Sequence, residues 1–124
     1  MPWTYSQSSG VMRGPHGEYF VGYSGFAMYK NDPNAEAVHD MGPIPRGHWR
    51  IDLHPYAGQH IGPYTLRLTP IGHNAAGRNA NTFRIHGENH HHPGASSGGC
   101  IILSPQARHA IVHSGDDSLT VERD

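Results

Sequence analysis

The chain has 124 residues, with nine lysines and arginines, ten aspartates and glutamates, twelve histidines, a single cysteine and a formal net charge of −1. That length fits one domain, and residues 1–124 are expected to form a single unit. The near-balance of charge excludes a basic nucleic-acid footprint and disorder by self-repulsion, and one cysteine excludes an intramolecular disulfide or a multi-cysteine zinc site.

Sixteen glycines and ten prolines argue against a helix bundle and for short strands joined by many turns. No apolar run approaches the ~20 residues that span a bilayer, so no membrane insertion is expected. Met1-Pro2-Trp3-Thr4-Tyr5-Ser6-Gln7 has neither the basic start nor the apolar stretch of a secretory signal. Synthesis in the cytoplasm without a signal peptide is therefore expected.

Trp3-Thr4-Tyr5, Val11-Met12-Arg13 and Glu18-Tyr19-Phe20-Val21-Gly22-Tyr23 are separated by glycine turns and read as a meander of antiparallel strands. Residues 24–45 carry turn chemistry and little periodicity, a length of irregular chain that often forms a lid or a binding loop. Ser24 and Asn31 are its first candidates for substrate contact. Alternation resumes at Trp49-Arg50-Ile51-Asp52-Leu53 and Tyr64-Thr65-Leu66-Arg67-Leu68, as in half-buried strands. A loop over residues 72–81 leads to Thr82-Phe83-Arg84-Ile85-His86, and Cys100-Ile101-Ile102-Leu103 reads as a buried strand. One helix follows, with Ser104 as its cap, Pro105 in its first turn, Ala107, Ala110 and Ile111 on one face and Gly115 as its stop. Leu119 and Val121 mark a final strand.

The chemistry concentrates between residues 84 and 103. His86 ends one apolar strand, and the lone Cys100 opens the next, fourteen positions later. A thiol becomes a nucleophile when a base or a positive charge raises its thiolate fraction, and the returning loop can set Cys100 beside His86 for that purpose. Gly98 and Gly99 leave room for a carbonyl, and the N–H groups around Gly99 and Cys100 are candidates for binding an oxyanion. Ser97 is expected to hold this turn by hydrogen bonds within it.

His86-Gly87 followed by Ser97-Gly98-Gly99-Cys100-Ile101 resembles the His-Gly … Ser-x-Gly-Cys signature of L,D-transpeptidases. The wider pattern is similar to the type VI secretion L,D-transpeptidase effector family. The match includes Gly22-Tyr23-Ser24-Gly25, Gly42-Pro43-Ile44-Pro45-Arg46-Gly47, Gly62-Pro63-Tyr64, Gly77-Arg78, Ile85-His86-Gly87-Glu88 and Ser114-Gly115-Asp116. The resemblance implies a mainly β fold, a compact sandwich or barrel with one short C-terminal helix. It also implies a Cys100 nucleophile, His86 as its base, and peptidoglycan stem peptides as substrate, with Arg78 and Glu88 near the substrate. No cofactor is implied. A secreted antibacterial effector acting in the periplasm of a target bacterium, and countered by a cognate immunity protein, is the expected setting. Where many L,D-transpeptidases carry a polar residue after the first His, Gly87 stands here, so a backbone carbonyl or another side chain would orient His86, with Glu88 the nearest acidic candidate.

Two other readings compete. His90, His91 and His92 with His86 invite a metal-dependent hydrolase, but successive residues of an extended chain point in opposing directions and rarely converge on one ion. A non-catalytic cell-wall or protein-binding module is the other, with two Trp and six Tyr as stacking surfaces. Their strand-like alternation favours core packing instead.

Overall fold

The computed structural model describes residues 2–89, 91 and 93–124; His90 and His92 of the histidine run lie outside the described residues. The protein is mainly β, a mixed sheet of ten strands with one helix. The strands are β1 (Trp3–Ser6), β2 (Val11–Arg13), β3 (Tyr19–Val21), β4 (Tyr23–Ser24), β5 (Gly47–Ile51), β6 (Tyr56–Gly58), β7 (Gly62–Ile71), β8 (Arg84–His86), β9 (Ile101–Ile102) and β10 (Ser118–Glu122), and helix α1 spans Pro105–Ser114. Neighbours along the sheet run β3-β2-β1-β10-β5-β7-β8-β9-β4, with β6 paired to β7.

The two ends of that path, β3 and β4, are consecutive in the chain with only Gly22 between them. The sheet therefore curls until one extended segment serves both edges, without a ladder that would close a barrel. Gly22 is where the chain passes between edges. A Cβ there would lie 1.9 Å from the Ile102 carbonyl oxygen, so only glycine fits.

The β1–β2–β3 meander is antiparallel, as its short turns require. Two pairings are parallel: β1 with β10 (Trp3↔Leu119) and β8 with β9 (Ile85↔Ile101). Parallel neighbours need a long connection. The loop from His86 to Cys100 supplies one for β8 and β9. Strand β6 was not expected, because Tyr56-Ala57-Gly58 has too little alternation to stand out from a loop; it exists by pairing with β7.

Alternate residues of the strands fill the core. Trp3, Tyr5, Trp49, Leu66, Phe83, Ile85, Ile101 and Leu119 are all buried there, and the rings of Trp49 and Phe83 meet edge-on at 5.1 Å. Both tryptophans are thus core residues and not an exposed stacking surface. Helix α1 adds Ala107 and Ile111. Ser104 Oγ accepts the Ala107 N–H at 3.2 Å, Pro105 occupies the first turn, and Gly115 ends the helix at φ +71. No helix among the described residues is long and apolar enough to cross a membrane.

Residues 24–46 form two short 3-10 turns, Ala27–Tyr29 and Pro33–Ala35, within irregular chain. Ile44 plugs this loop into the core. Glu36 locks its base, accepting from Arg46 Nε and Nη2, from the Arg46 N–H and from Gln7 Nε2.

Candidate active site

His86 is the last residue of β8, and Cys100 immediately precedes β9. Their strands run side by side with Ile85 opposite Ile101 and His86 opposite Ile102. Ile85 and Ile101 point into the core. By strand alternation, the other face carries Arg84, His86 and Ile102, and Cys100, in the bend just before β9, falls next to Arg84 in the same register. Cys100 and His86 therefore stand two positions apart in register on adjoining segments.

His86 is 3% exposed, and its Nδ1 lies 2.9 Å from the Gly87 carbonyl oxygen. A carbonyl only accepts, so Nδ1 carries the proton and Nε2 keeps its lone pair. The backbone, not Glu88, orients the ring. Burial lowers the His86 pKa from its ordinary value; Arg108 and Arg84 add to the effect, while the Gly87 carbonyl and Glu88 act against it. The ring is a neutral base at neutral pH.

Cys100 is half-buried, and its Sγ lies 3.5 Å from the Thr82 carbonyl oxygen. Burial pushes the thiol up to about 11, although the Arg84 N–H and the charges of Arg84 and Arg78 pull it down. In this rotamer the sulfur is engaged by Thr82 and makes no hydrogen bond to His86. The resting pair is a neutral thiol and a neutral imidazole rather than a preformed ion pair.

The turn that carries Cys100 is held by an internal scaffold. Ser97 Oγ donates to the Cys100 carbonyl at 2.6 Å and accepts the N–H groups of Gly99 at 3.1 Å and Gly25 at 2.9 Å. The Gly99 N–H is committed to Ser97, which leaves the Gly98 and Cys100 N–H groups without a turn or side-chain partner among the described residues. Gly99 sits at φ +138, and a Cβ on it would come within 2.5 Å of Arg78 Nη2. Arg78 is 7% exposed and ties three loops together, donating to the carbonyls of Glu36 at 2.9 Å, Pro43 at 2.8 Å and Gly98 at 2.9 Å.

Ser24 is fully buried; its Oγ donates to the Gly99 carbonyl at 3.1 Å and accepts the Ile44 N–H at 2.8 Å. Asn31 braces Ser24 in turn, its Oδ1 accepting the Ser24 N–H at 3.2 Å. The long loop thus buttresses the cysteine turn from behind, and none of the residues lining the main cavity comes from 24–45.

That cavity, about 820 Å³, is walled by His86, Gly87 and Glu88 beyond β8, by residues 102–104, by Tyr23 of β4, by Pro63 and by Arg108 of α1. Glu88 accepts from the Tyr23 hydroxyl and from Ser96 Oγ at 2.8 Å. Burial alone would raise its pKa, but the bonds from Tyr23, Ser96 and the Gly94 N–H, with Lys30 nearby, outweigh that and hold the carboxylate below its ordinary value. Tyr23 and Ser96 were not singled out as site residues; Tyr23 falls within the Gly22-Tyr23-Ser24-Gly25 match, while nothing in the sequence marks Ser96. Arg108 was also missed, although the spacing of Arg108 and Ile111 puts both on the buried stripe of α1.

The arrangement thus sets Cys100, on a braced Ser-Gly-Gly-Cys turn, and a Nδ1-protonated His86 on adjoining segments, and of the two only His86 lines the groove. The family model of the Tlde1 domain matches residues 18–120, so the chain belongs to the Tlde1 family of type VI secretion effectors of the L,D-transpeptidase type. No curated protein matches the chain.

Proposed function

We propose that residues 1–124 form one catalytic unit, a cysteine L,D-carboxypeptidase and L,D-transpeptidase acting on peptidoglycan stem tetrapeptides. The observation that carries the reading is the side-by-side placement of β8 and β9, which sets His86, on the wall of an open groove, and Cys100, just before β9, two positions apart in register. The thiol rotates about χ1 from the Thr82 carbonyl toward His86 Nε2, a hop between staggered rotamers. His86 takes the thiol proton as sulfur attacks the carbonyl that joins the L-centre of the diamino acid to the terminal D-alanine. The Cys100 N–H donates to the developing oxyanion. His86 returns the proton to the departing amine, leaving a thioester. Water then gives the shortened peptide, and a free D-amino acid gives exchange.

Ser97, Gly99, Arg78, Ser24 and Asn31 are assigned to holding the turn, and Glu88 to the substrate groove. Family membership points to peptidoglycan as the target and to a cognate immunity protein as partner, with the target periplasm as site of action. Removing D-alanine from tetrapeptides withdraws the donors of 3-3 cross-links, which accounts for an antibacterial role.

Mass analysis of purified muropeptides incubated with the protein and with Cys100→Ala tests the proposal. Loss of one alanine residue, or its exchange for an added D-amino acid, is expected only with Cys100 present. A second reading, a binding module on the same fold, is favoured by the raised thiol pKa and by the Thr82 contact. An effect on cell walls that survives Cys100→Ala would select it.

A further inference from the structure

Arg108 is a buried cation with no counter-ion among the described residues. It is 6% exposed, and its Nε donates to the carbonyls of Leu103 at 3.2 Å and Ser104 at 3.4 Å, its Nη1 to those of Pro63 at 2.9 Å and Tyr64 at 3.2 Å. No carboxylate pairs with it among the described residues, where the ion pairs are His16–Glu18 and Arg46–Glu36. Four carbonyl bonds fix its position, while Nη2 donates to no described residue. Nη2 lies over Gly87, at 2.7 Å from where a Cβ would be. Gly87 follows His86 and lines the same cavity. A desolvated guanidinium with a free N–H edge is a strong site for a carboxylate.

We propose that Arg108 binds the α-carboxylate of the terminal D-amino acid, and so restricts the reaction to the end of the stem peptide. The inference rests on the hydrolase reading above and deepens it. In the leaving D-alanine, the amine nitrogen and the carboxylate carbon are two bonds apart, about 2.5 Å. The group that protonates the amine and the group that holds the carboxylate must then be neighbours in the site, and His86 and Arg108 are neighbours on the cavity wall. The same anchor presents the amine of an incoming D-amino acid to the thioester. An internal peptide bond offers no carboxylate and is passed over. Gly87 leaves the space that the guanidinium occupies beside the base.

The test compares stem tetrapeptides ending in D-alanine and in D-alaninamide, using the full chain, Arg108→Gln, Arg108→Lys and Gly87→Ala. The unsubstituted protein is expected to favour the acid by about 10- to 100-fold in kcat/KM, the value of a charge-assisted bond. Arg108→Gln brings that ratio near one, and Arg108→Lys keeps part of it. Gly87→Ala, which keeps the charge but displaces Nη2, also lowers the ratio and serves if Arg108→Gln fails to fold. Equal rates on both peptides with the unsubstituted protein would overturn the proposal, as would variants that slow both equally and leave the ratio intact. A binding arm separates it from the chemistry: N-acetyl-D-alanine and its amide are titrated by NMR into Cys100→Ala with and without Arg108→Gln. Arg108-dependent binding of the acid alone upholds the anchor even if no turnover is seen, in which case only the cysteine mechanism falls. Turnover without that carboxylate preference removes the anchor and leaves the mechanism standing.

Discussion

His86 donates from Nδ1 to the carbonyl oxygen of Gly87, the very next residue, at 2.9 Å. The bond sets the tautomer without any acidic partner, and burial with the neighbouring guanidiniums of Arg108 and Arg84 holds the ring in its neutral, basic form. Because the working state is the deprotonated ring, activity rises as pH passes upward through the His86 pKa. That pKa is lowered, so the rising limb of kcat/KM lies below the ordinary histidine value of 6.5. Glu88 works against this lowering. Glu88→Gln is therefore expected to move the limb to still lower pH, read from a pH–rate profile. His86→Gln should reduce turnover by at least about 100-fold.

The resting thiol is protonated, with burial lifting Cys100 to about 11. Its alkylation by iodoacetamide should be slow at neutral pH and keep accelerating well above pH 9, with no plateau near neutrality. A plateau at pH 6–7 would reveal a preformed thiolate–imidazolium pair. Arg78→Met removes one of the charges that favour the thiolate and should slow alkylation further.

Ser97 Oγ makes three bonds around the cysteine turn, to Cys100, Gly99 and Gly25. Ser97→Ala leaves two buried N–H groups and one carbonyl to find other partners, at a cost of about 2–4 kcal/mol. Chemical denaturation measures the loss. Ser24→Ala attacks the same turn through the Gly99 carbonyl. The double variant should be less destabilised than the sum of the two, since both act on one element.

Glu36 is drawn down to about 2: burial opposes the shift, but the bonds from Arg46 and Gln7 outweigh it. A carboxylate with a lowered folded-state pKa contributes stability above its unfolded value, near 4.5, and loses it as pH falls toward 2. With the discount for the half-exposed Arg46 partner, the contribution at neutral pH is about 1–2 kcal/mol. Glu36→Gln should be less stable than the parent by that amount at pH 7. The two unfolding curves should converge near pH 2.

Much was written locally in the chain. Short alternating runs bounded by glycine located most of the strands, and Ser104, Pro105 and Gly115 bounded the helix, because caps and strand alternation depend on residues within a turn or two. The fourteen-position spacing of His86 and Cys100 marked the catalytic candidates on the same terms. Pairing is different. The parallel neighbours β1 and β10 come from opposite ends of the chain, β6 exists only by pairing with β7, and the curl of the sheet turns on the contact of Gly22 with Ile102. Tertiary structure alone also decided what each polar residue does. Ser24 and Asn31 became braces, the Gly99 N–H went to Ser97, the thiol turned to Thr82, and Arg108 emerged as a cation held by carbonyls with no carboxylate among the described residues. Residue type records which groups can donate, accept or ionise. Burial and long-range proximity decide which of those capacities remain free, and both arise only when distant segments pack together.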